Sequence, residues 1–196
     1  MNGGKMTKKL LAIALGTAAT IGVAHAAPPT FYAGGDIAGF TSKIDDTVRI
    51  PADVSGSAKA TSLRLRGGIH ILDWLDAELH IVLPQDKEYS SAGGSSNKVK
   101  TQVFGAFAKP NTNVGPVNLY GLVGFAQSKM DFSGSIISGS ETQSGVAYGV
   151  GVQYPFTKNL SGSIDYVQYL KKDNFGGAGI DVTNSAISAG VLYTFK

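Results

Sequence analysis

The chain has 196 residues, of which 43% are hydrophobic and 16% charged, with 26 glycines and no cysteine. This length fits one domain, the apolar fraction excludes a disordered chain, and the missing cysteines exclude disulfide scaffolds and thiolate metal sites. The net charge of +3 comes from three lysines within the first nine residues, so the rest of the chain is neutral and gives no reason to expect a nucleic-acid partner.

The N-terminus has the pattern of an export signal. A positive segment opens the chain, and an uncharged apolar stretch follows it at residues 10–23. Small residues at Ala24 and Ala26 then match a signal-peptidase site. We therefore expect residues 1–26 to be a cleaved signal peptide and residues 27–196 to be the exported domain. The alternative is an uncleaved N-terminal anchor.

The mature chain alternates apolar and polar or small residues with a period of two, which is typical of β-strands. The predicted strands have about nine to twelve residues, the length that a tilted strand needs to cross a bilayer. The pattern predicts eight of them, at residues 31–41, 60–71, 75–83, 99–109, 117–128, 145–155, 160–170 and 184–195.

The predicted connections alternate between long and short. The long ones are residues 42–59, 84–98, 129–144 and 171–183. The short ones are residues 72–74, 110–116 and 156–159. We therefore predict an all-β fold, an eight-stranded antiparallel up-and-down transmembrane β-barrel with short periplasmic turns and long extracellular loops.

The second and third strands allow a prediction of register. Lumen residues must pair with lumen residues, which requires an odd turn such as the three residues 72–74. This register places Arg66 opposite His80 and diagonal to Glu78, where opposite charges can interact.

The two faces of the strands separate a membrane barrel from a soluble one. One face carries the polar residues, and we predict that they form a lumen cluster: Asp36, Arg64, Arg66, His70, Asp76, Glu78, His80 and Asp165. The apolar face carries aromatic residues that we assign to girdles near the strand ends: Phe31, Tyr154, Tyr166, Tyr193 and Phe195. A soluble ligand-binding barrel would have its larger apolar residues inside, whereas the predicted interior is rich in glycine and serine.

The order of these strands resembles a known family. The segments that carry the resemblance are 31–35, 118–125, 147–154, 160–166 and 190–195. Together they resemble the small outer-membrane β-barrel proteins of Gram-negative bacteria, of the Ail/OmpX and OmpA membrane-domain type within the porin-like barrels. The resemblance implies location in the bacterial outer membrane, and contact with its lipid and lipopolysaccharide. It also implies assembly by the barrel-assembly machinery and periplasmic chaperones.

The resemblance also gives the chain terminus a role. Family members end on an aromatic residue that the assembly machinery recognises, which assigns an assembly signal to Tyr193 and Phe195. In this chain Lys196 follows Phe195, a departure from the family pattern.

The residues favour a protein without catalytic activity. The mature chain has two histidines, His70 and His80, and neither lies at the predicted external rim where a barrel enzyme keeps its general base. No spacing of His, Asp and Glu is diagnostic of a metal, and the glycine pairs lack the context of a phosphate loop. We therefore predict no catalytic residue, metal or cofactor.

Two interpretations remain for the lumen charges, and one for the loops. The charges either fill and rigidify a narrow barrel or form a constriction that selects ions. The predicted loops contain Ser, Gly and scattered apolar residues that could contact host or neighbouring surface molecules. We predict surface interaction, adhesion or envelope integrity through the extracellular loops. A narrow passive pore is the alternative, and a lipid-modifying enzyme is the least favoured.

Overall fold

A computed structural model describes residues 30–46, 56–90, 96–133, 138–175 and 180–195. The predicted signal peptide, its cleavage site and Lys196 lie outside these residues. The described residues form eight strands: β1 (Phe31–Asp46), β2 (Gly56–Leu72), β3 (Leu75–Ser90), β4 (Ser96–Val114), β5 (Val117–Ser133), β6 (Ser138–Pro155), β7 (Leu160–Phe175) and β8 (Ile180–Phe195).

The strands close into one barrel. Each strand pairs antiparallel with the next, and β8 returns to pair with β1, where Phe31 lies opposite Phe195. Closure pairs every strand on both sides, so the sheet has no free edge. The predicted eight-stranded antiparallel up-and-down barrel is confirmed. None of the described residues forms a helix long and apolar enough to cross a membrane.

The strands extend farther toward the outer side than the sequence predicts. β3 continues to Ser90 and β4 begins at Ser96, and these two residues pair with each other. Most of the predicted connection 84–98 is therefore strand. The predicted connections 42–59, 129–144 and 171–183 are also partly strand, because β1, β2, β5, β6, β7 and β8 all continue into them.

The turn between β4 and β5 corrects a second boundary. Residues 110–116 were expected to be a connection, but β4 runs through Pro110 to Val114. The turn consists of Gly115 and Pro116, and Gly115 has a φ of 60°. A two-residue hairpin turn needs a positive φ at its first central residue, and glycine adopts it without steric cost.

The turn between β2 and β3 has the predicted register but not the predicted length. Arg66 pairs with His80, as expected. The turn has two residues, however, because Leu72 pairs with Leu75 across it. The odd residue is Ile71, which is bulged between the paired positions of β2. A bulge therefore preserves the lumen parity that we had assigned to a three-residue turn.

Three further bulges adjust the wall, and one of them lies on β7 between Lys172 and Phe175, where two residues oppose Asp181 of β8. On β3, Leu83 and Pro84 together oppose one residue of β4, since the pairing passes from Val82 to Gln85. A bulge is one of the few places where a sheet accepts proline. In the other bulge of β7, Tyr169 is the extra residue, and both Tyr169 and Leu170 are buried.

The faces alternate as expected for a membrane barrel. On β2, Leu63 and Leu65 are 57% and 48% exposed, whereas Arg64 between them is fully buried. Exposed aromatic residues lie close to the periplasmic turns and termini: Phe31, Trp74, Tyr154, Phe156, Tyr193 and Phe195. The expectation for Tyr166 was wrong in one respect. It faces outward, but it pairs with Val150 well inside the wall.

Candidate functional site

The strand alternation brings the polar residues of the inner face into the lumen. Of the eight residues predicted there, seven are buried: Asp36, Arg64, Arg66, Asp76, Glu78, His80 and Asp165. The eighth, His70, lies at the periplasmic mouth, with its side chain 43% exposed. Buried charges require partners, because an unpaired charge in a protein interior is very unfavourable.

Arg64 connects opposite walls of the barrel. Its Nε donates to Asp36 Oδ2 on β1 at 2.8 Å, and its Nη2 donates to Asp165 Oδ2 on β7 at 2.7 Å. Its Nη1 also donates to the hydroxyl of Tyr169 at 3.2 Å. The planar guanidinium thus fixes two carboxylates from two different strands, which a lysine could not do with the same geometry.

Arg66 lies one step closer to the periplasm and forms a second set of bonds. Its Nε donates to Glu78 Oε1 at 2.8 Å, and its Nη1 donates to Ser163 Oγ at 3.0 Å and Asp165 Oδ2 at 3.2 Å. The guanidinium carbon lies 5.7 Å from the ring centre of Tyr120. Asp165 is therefore shared by both arginines.

Lys109 completes the charged network, and the sequence analysis did not identify it. Its Nζ donates to Glu78 Oε2 at 3.0 Å, and it lies 4.4 Å and 4.9 Å from the ring centres of Tyr120 and Tyr32. It is 1% exposed. It shares the inner face of β4 with the apolar residues Val103 and Phe107, so the alternation along this strand contains no signal that could have placed it in the lumen.

The two histidines occupy different environments. His80 is buried, with Nε2 at 2.6 Å from Glu78 Oε1 and Nδ1 at 3.0 Å from the hydroxyl of Tyr169. His70 Nδ1 lies 2.7 Å from Asp76 Oδ1 at the periplasmic end. The network thus runs from the periplasmic mouth to the middle of the lumen.

An apolar layer covers the network on its outer side. Tyr169 stacks on Phe40 with ring centres 5.6 Å apart and meets the edge of Phe107 at 6.2 Å. Further buried side chains from other strands join this cluster: Ala38, Val82, Val103, Leu122, Ala126, Ala147, Val167 and Ala186. The lumen therefore contains a charged layer below and an apolar layer above, both built from side chains of the wall.

This arrangement offers little access for chemistry. His80 has a carboxylate on one side and a tyrosine hydroxyl on the other, and it is completely buried. Among the described residues, no group of three or more His, Asp and Glu side chains is arranged to hold a metal ion. The geometry is that of a network that crosslinks the wall.

The closed antiparallel wall, its apolar outer band and its charged interior define a membrane-spanning β-barrel with a filled lumen. The family described as "Outer membrane protein beta-barrel domain" matches residues 10–195. The chain belongs to this family, and its place is the bacterial outer membrane.

Solved structures show the same fold. Neisserial surface protein A is 24% identical, with 84% of this chain and 97% of that chain covered and a TM-score of 0.57. Outer membrane protein OprG of Pseudomonas aeruginosa is 15% identical, with 85% of this chain and 95% of that chain covered and a TM-score of 0.58. Ail, the attachment invasion locus protein of Yersinia pestis, is 18% identical, with 84% of this chain and 98% of that chain covered and a TM-score of 0.53. A comparison with curated protein sequences finds no match.

Proposed function

We propose that this protein is a non-enzymatic outer-membrane barrel that acts through its extracellular side, in surface interaction, adhesion or envelope integrity. The barrel is a scaffold in this proposal, and the segments that join the strands at the outer end are the functional part. Signal-peptide cleavage after Ala26 and passage through the periplasm belong to the same proposal.

The filled lumen is the observation that carries the proposal. Arg64, Glu78, His80 and Lys109 come from three different strands, and each is at most 1% exposed. They bond to one another or to Asp36 and Asp165, and the bond between Arg64 and Asp165 joins β2 to β7 across the lumen. A lumen filled in this way supports a structural role for the charges over an ion-selective constriction, so we place the activity on the outer surface.

The outer ends of the strands support the same assignment. Four exposed lysines lie there, on β1, β2, β5 and β7: Lys43, Lys59, Lys129 and Lys171. Solvent-exposed basic and hydroxyl side chains suit contact with anionic or sugar-containing surfaces. Ile136 and Ile137, two apolar residues of the predicted outer connection 129–144, lie outside the described residues.

The first test removes the outer segments together with the outer ends of the strands that carry them. Gln85 pairs with Thr101, and Lys172 pairs with Val182, so a two-residue turn can join each pair directly. The variant would replace residues 86–100 and 173–181. Wall hydrogen bonds carry the fold, so we expect a heat-modifiable, protease-resistant barrel.

Two readouts on whole cells measure its activity. Ail was crystallised with the heparin analogue sucrose octasulfate, which makes attachment to heparin-coated surfaces a suitable first probe. Entry of a hydrophobic dye measures envelope integrity. We expect the shortened variant to lose attachment or integrity, whereas Arg64→Gln should reduce stability and spare both. The opposite result would assign the function to the lumen.

Assembly is the remaining part of the proposal. Tyr193 and Phe195 face outward at the end of β8, with ring centres 5.2 Å apart, and Phe195 pairs with Phe31 at the barrel closure. We assign them to recognition by the barrel-assembly machinery after delivery by periplasmic chaperones. Replacement of Phe195 by Ser should slow membrane insertion more than replacement of the equally exposed Phe156.

A further inference from the structure

The outer wall of the barrel contains a groove with a volume of about 880 Å³. Two neighbouring rows of outward-facing residues, which run from strand to strand across the wall, make up most of its lining. The residues between the rows complete it: Asn111, Tyr120, Gly151 and Asp165. The first row consists of Pro110, Gly121, Val150, Tyr166 and Ile187 on β4 to β8. The second row consists of Thr112, Leu119, Val152 and Ile164 on β4 to β7.

Gly121 forms the floor of the groove. It lies in the first row between Pro110 and Val150, and a Cβ added to it would lie 3.7 Å from the Pro110 ring. Side chains on both sides protrude, since Val150 is 65% exposed, and the absence of a side chain at residue 121 leaves a depression between them.

The wall is also interrupted at this point. Within the described strands, Lys109 and Pro110 have no paired residue on β5, although pairing resumes at Ala108 and Asn111 on either side. Proline has no N–H to donate to the neighbouring strand. The groove therefore begins where the hydrogen-bonded ladder between β4 and β5 is incomplete.

The direction of the groove identifies its level in the membrane. Continued beyond Pro110, the first row reaches Leu75, the first residue after the β2–β3 turn. Continued beyond Ile187, it reaches Thr61 in the outer half of β2. The row thus climbs from the periplasmic end of the barrel toward the middle of the wall.

The length of the groove matches one lipid chain. Four strand spacings of about 4.8 Å separate Pro110 from Ile187, about 19 Å in all. Because barrel strands tilt by about 35–45°, a row perpendicular to them rises by about 12 Å along the membrane normal. One leaflet of the hydrocarbon core is about 15 Å thick.

We propose that this groove binds one acyl chain of a glycerophospholipid from the periplasmic leaflet. The groove is continuous with the apolar band that faces the bilayer, which makes a lipid chain its occupant. Thr112 faces outward at the periplasmic end of the groove, where we place the ester and phosphate oxygens of the lipid. The inference concerns the outer wall and is independent of the function proposed for the extracellular side.

Native mass spectrometry of the purified protein in mild detergent, titrated with phosphatidylethanolamine, tests the proposal. The wild type should retain one phospholipid per barrel. Gly121→Leu fills the floor of the groove, so the affinity for the phospholipid should fall roughly tenfold. Leu119→Trp places a larger side chain in the second row and should also lower phospholipid retention. The matched control is Gly35→Leu, since a Cβ at residue 35 meets only Arg64 O at 3.8 Å and Leu65 Cδ2 at 3.9 Å.

Three results would overturn the proposal. The first is equal phospholipid retention by the wild type, the control and both groove variants. The second is a dimer of the wild type that Gly121→Leu dissociates, which would make the groove an interface between copies. The third is preferential retention of lipid A over phosphatidylethanolamine, which would assign the groove to the other leaflet. Refolding of either groove variant is sufficient for the test.

Discussion

Single charged residues in the lumen have a large effect on the stability of the barrel. Arg64 bonds Asp36 and Asp165, and all three side chains are completely buried. Removal of one partner from such a group leaves the others buried and uncompensated, which costs far more than the pair contributes on its own. The two arginines are therefore the residues on which the stability of the interior depends most.

Substitution of Arg64 by Gln should lower the free energy of unfolding by about 3–5 kcal/mol, because two carboxylates lose their main donor. The measurement is urea unfolding in phospholipid vesicles. Lys59→Gln, on the exposed outer part of the same strand, is the control and should change stability by less than about 0.5 kcal/mol. A comparable loss in both variants would mean that Arg64 does not hold the walls together.

The outward face can be tested in the same way. Val150 is exposed to lipid in the middle of the β6 wall, so Val150→Arg should destabilise folding into vesicles by about 2–4 kcal/mol. Gln127 faces outward nearer to the outer interface, where arginine costs about 0–1 kcal/mol. Folding titrations of Val150→Arg and Gln127→Arg in urea compare the two depths, and equal effects would contradict the assigned position of Val150.

Sequence reasoning at this scale succeeded where a strand has two distinct faces. Arg64 and Arg66 alternate with leucines, so period-two parity placed them inside the barrel. It missed Lys109 because the predicted β4 segment carries small or aromatic residues on both faces. The partners of each charge also depend on which strands meet across the lumen, which alternation along one strand does not contain.

At the level of strands and turns, the hairpin between β4 and β5 depends on one glycine. Gly115 has a φ of 60°, and a Cβ added there would meet nothing within 4 Å. Gly115→Val should therefore destabilise the barrel by about 1–2 kcal/mol through backbone strain alone. Gly115→Asn should cost less, since asparagine tolerates this conformation. Urea refolding of both variants measures the difference, and an equal or larger loss for Asn would exclude backbone strain as the cause.

The number and order of the strands could be predicted from the sequence, but the residues at which the strands begin and end could not. Alternation persists until a bulge, and the described strands contain four that the sequence does not reveal: at Ile71, at Leu83 and Pro84, at Tyr169, and between Lys172 and Phe175. Pro84 and Pro110 suggested strand ends, whereas one lies in a bulge and the other at a gap in the ladder. Each exception depends on the neighbouring strand, so local sequence could not reveal it.

On the scale of the whole molecule, the barrel combines two ways of filling its interior. The periplasmic half is crosslinked by ion pairs between β1, β2, β3, β4 and β7, and the apolar cluster lies beyond it on the outer side. An eight-stranded barrel is just wide enough for its side chains to fill. Both layers would have to rearrange before ions could cross, and the proposed function depends on this filling of the lumen.

Ion conductance in planar bilayers tests this central claim most directly. The refolded wild-type barrel should form no steady channels, and Arg66→Gln should not create ion-selective ones, because the apolar layer of Phe40, Phe107 and Tyr169 remains in place above the network. Steady, ion-selective channels in the wild type, with a selectivity that changes when Arg66 is neutralised, would contradict the account. The lumen charges would then be the selectivity constriction of a narrow pore.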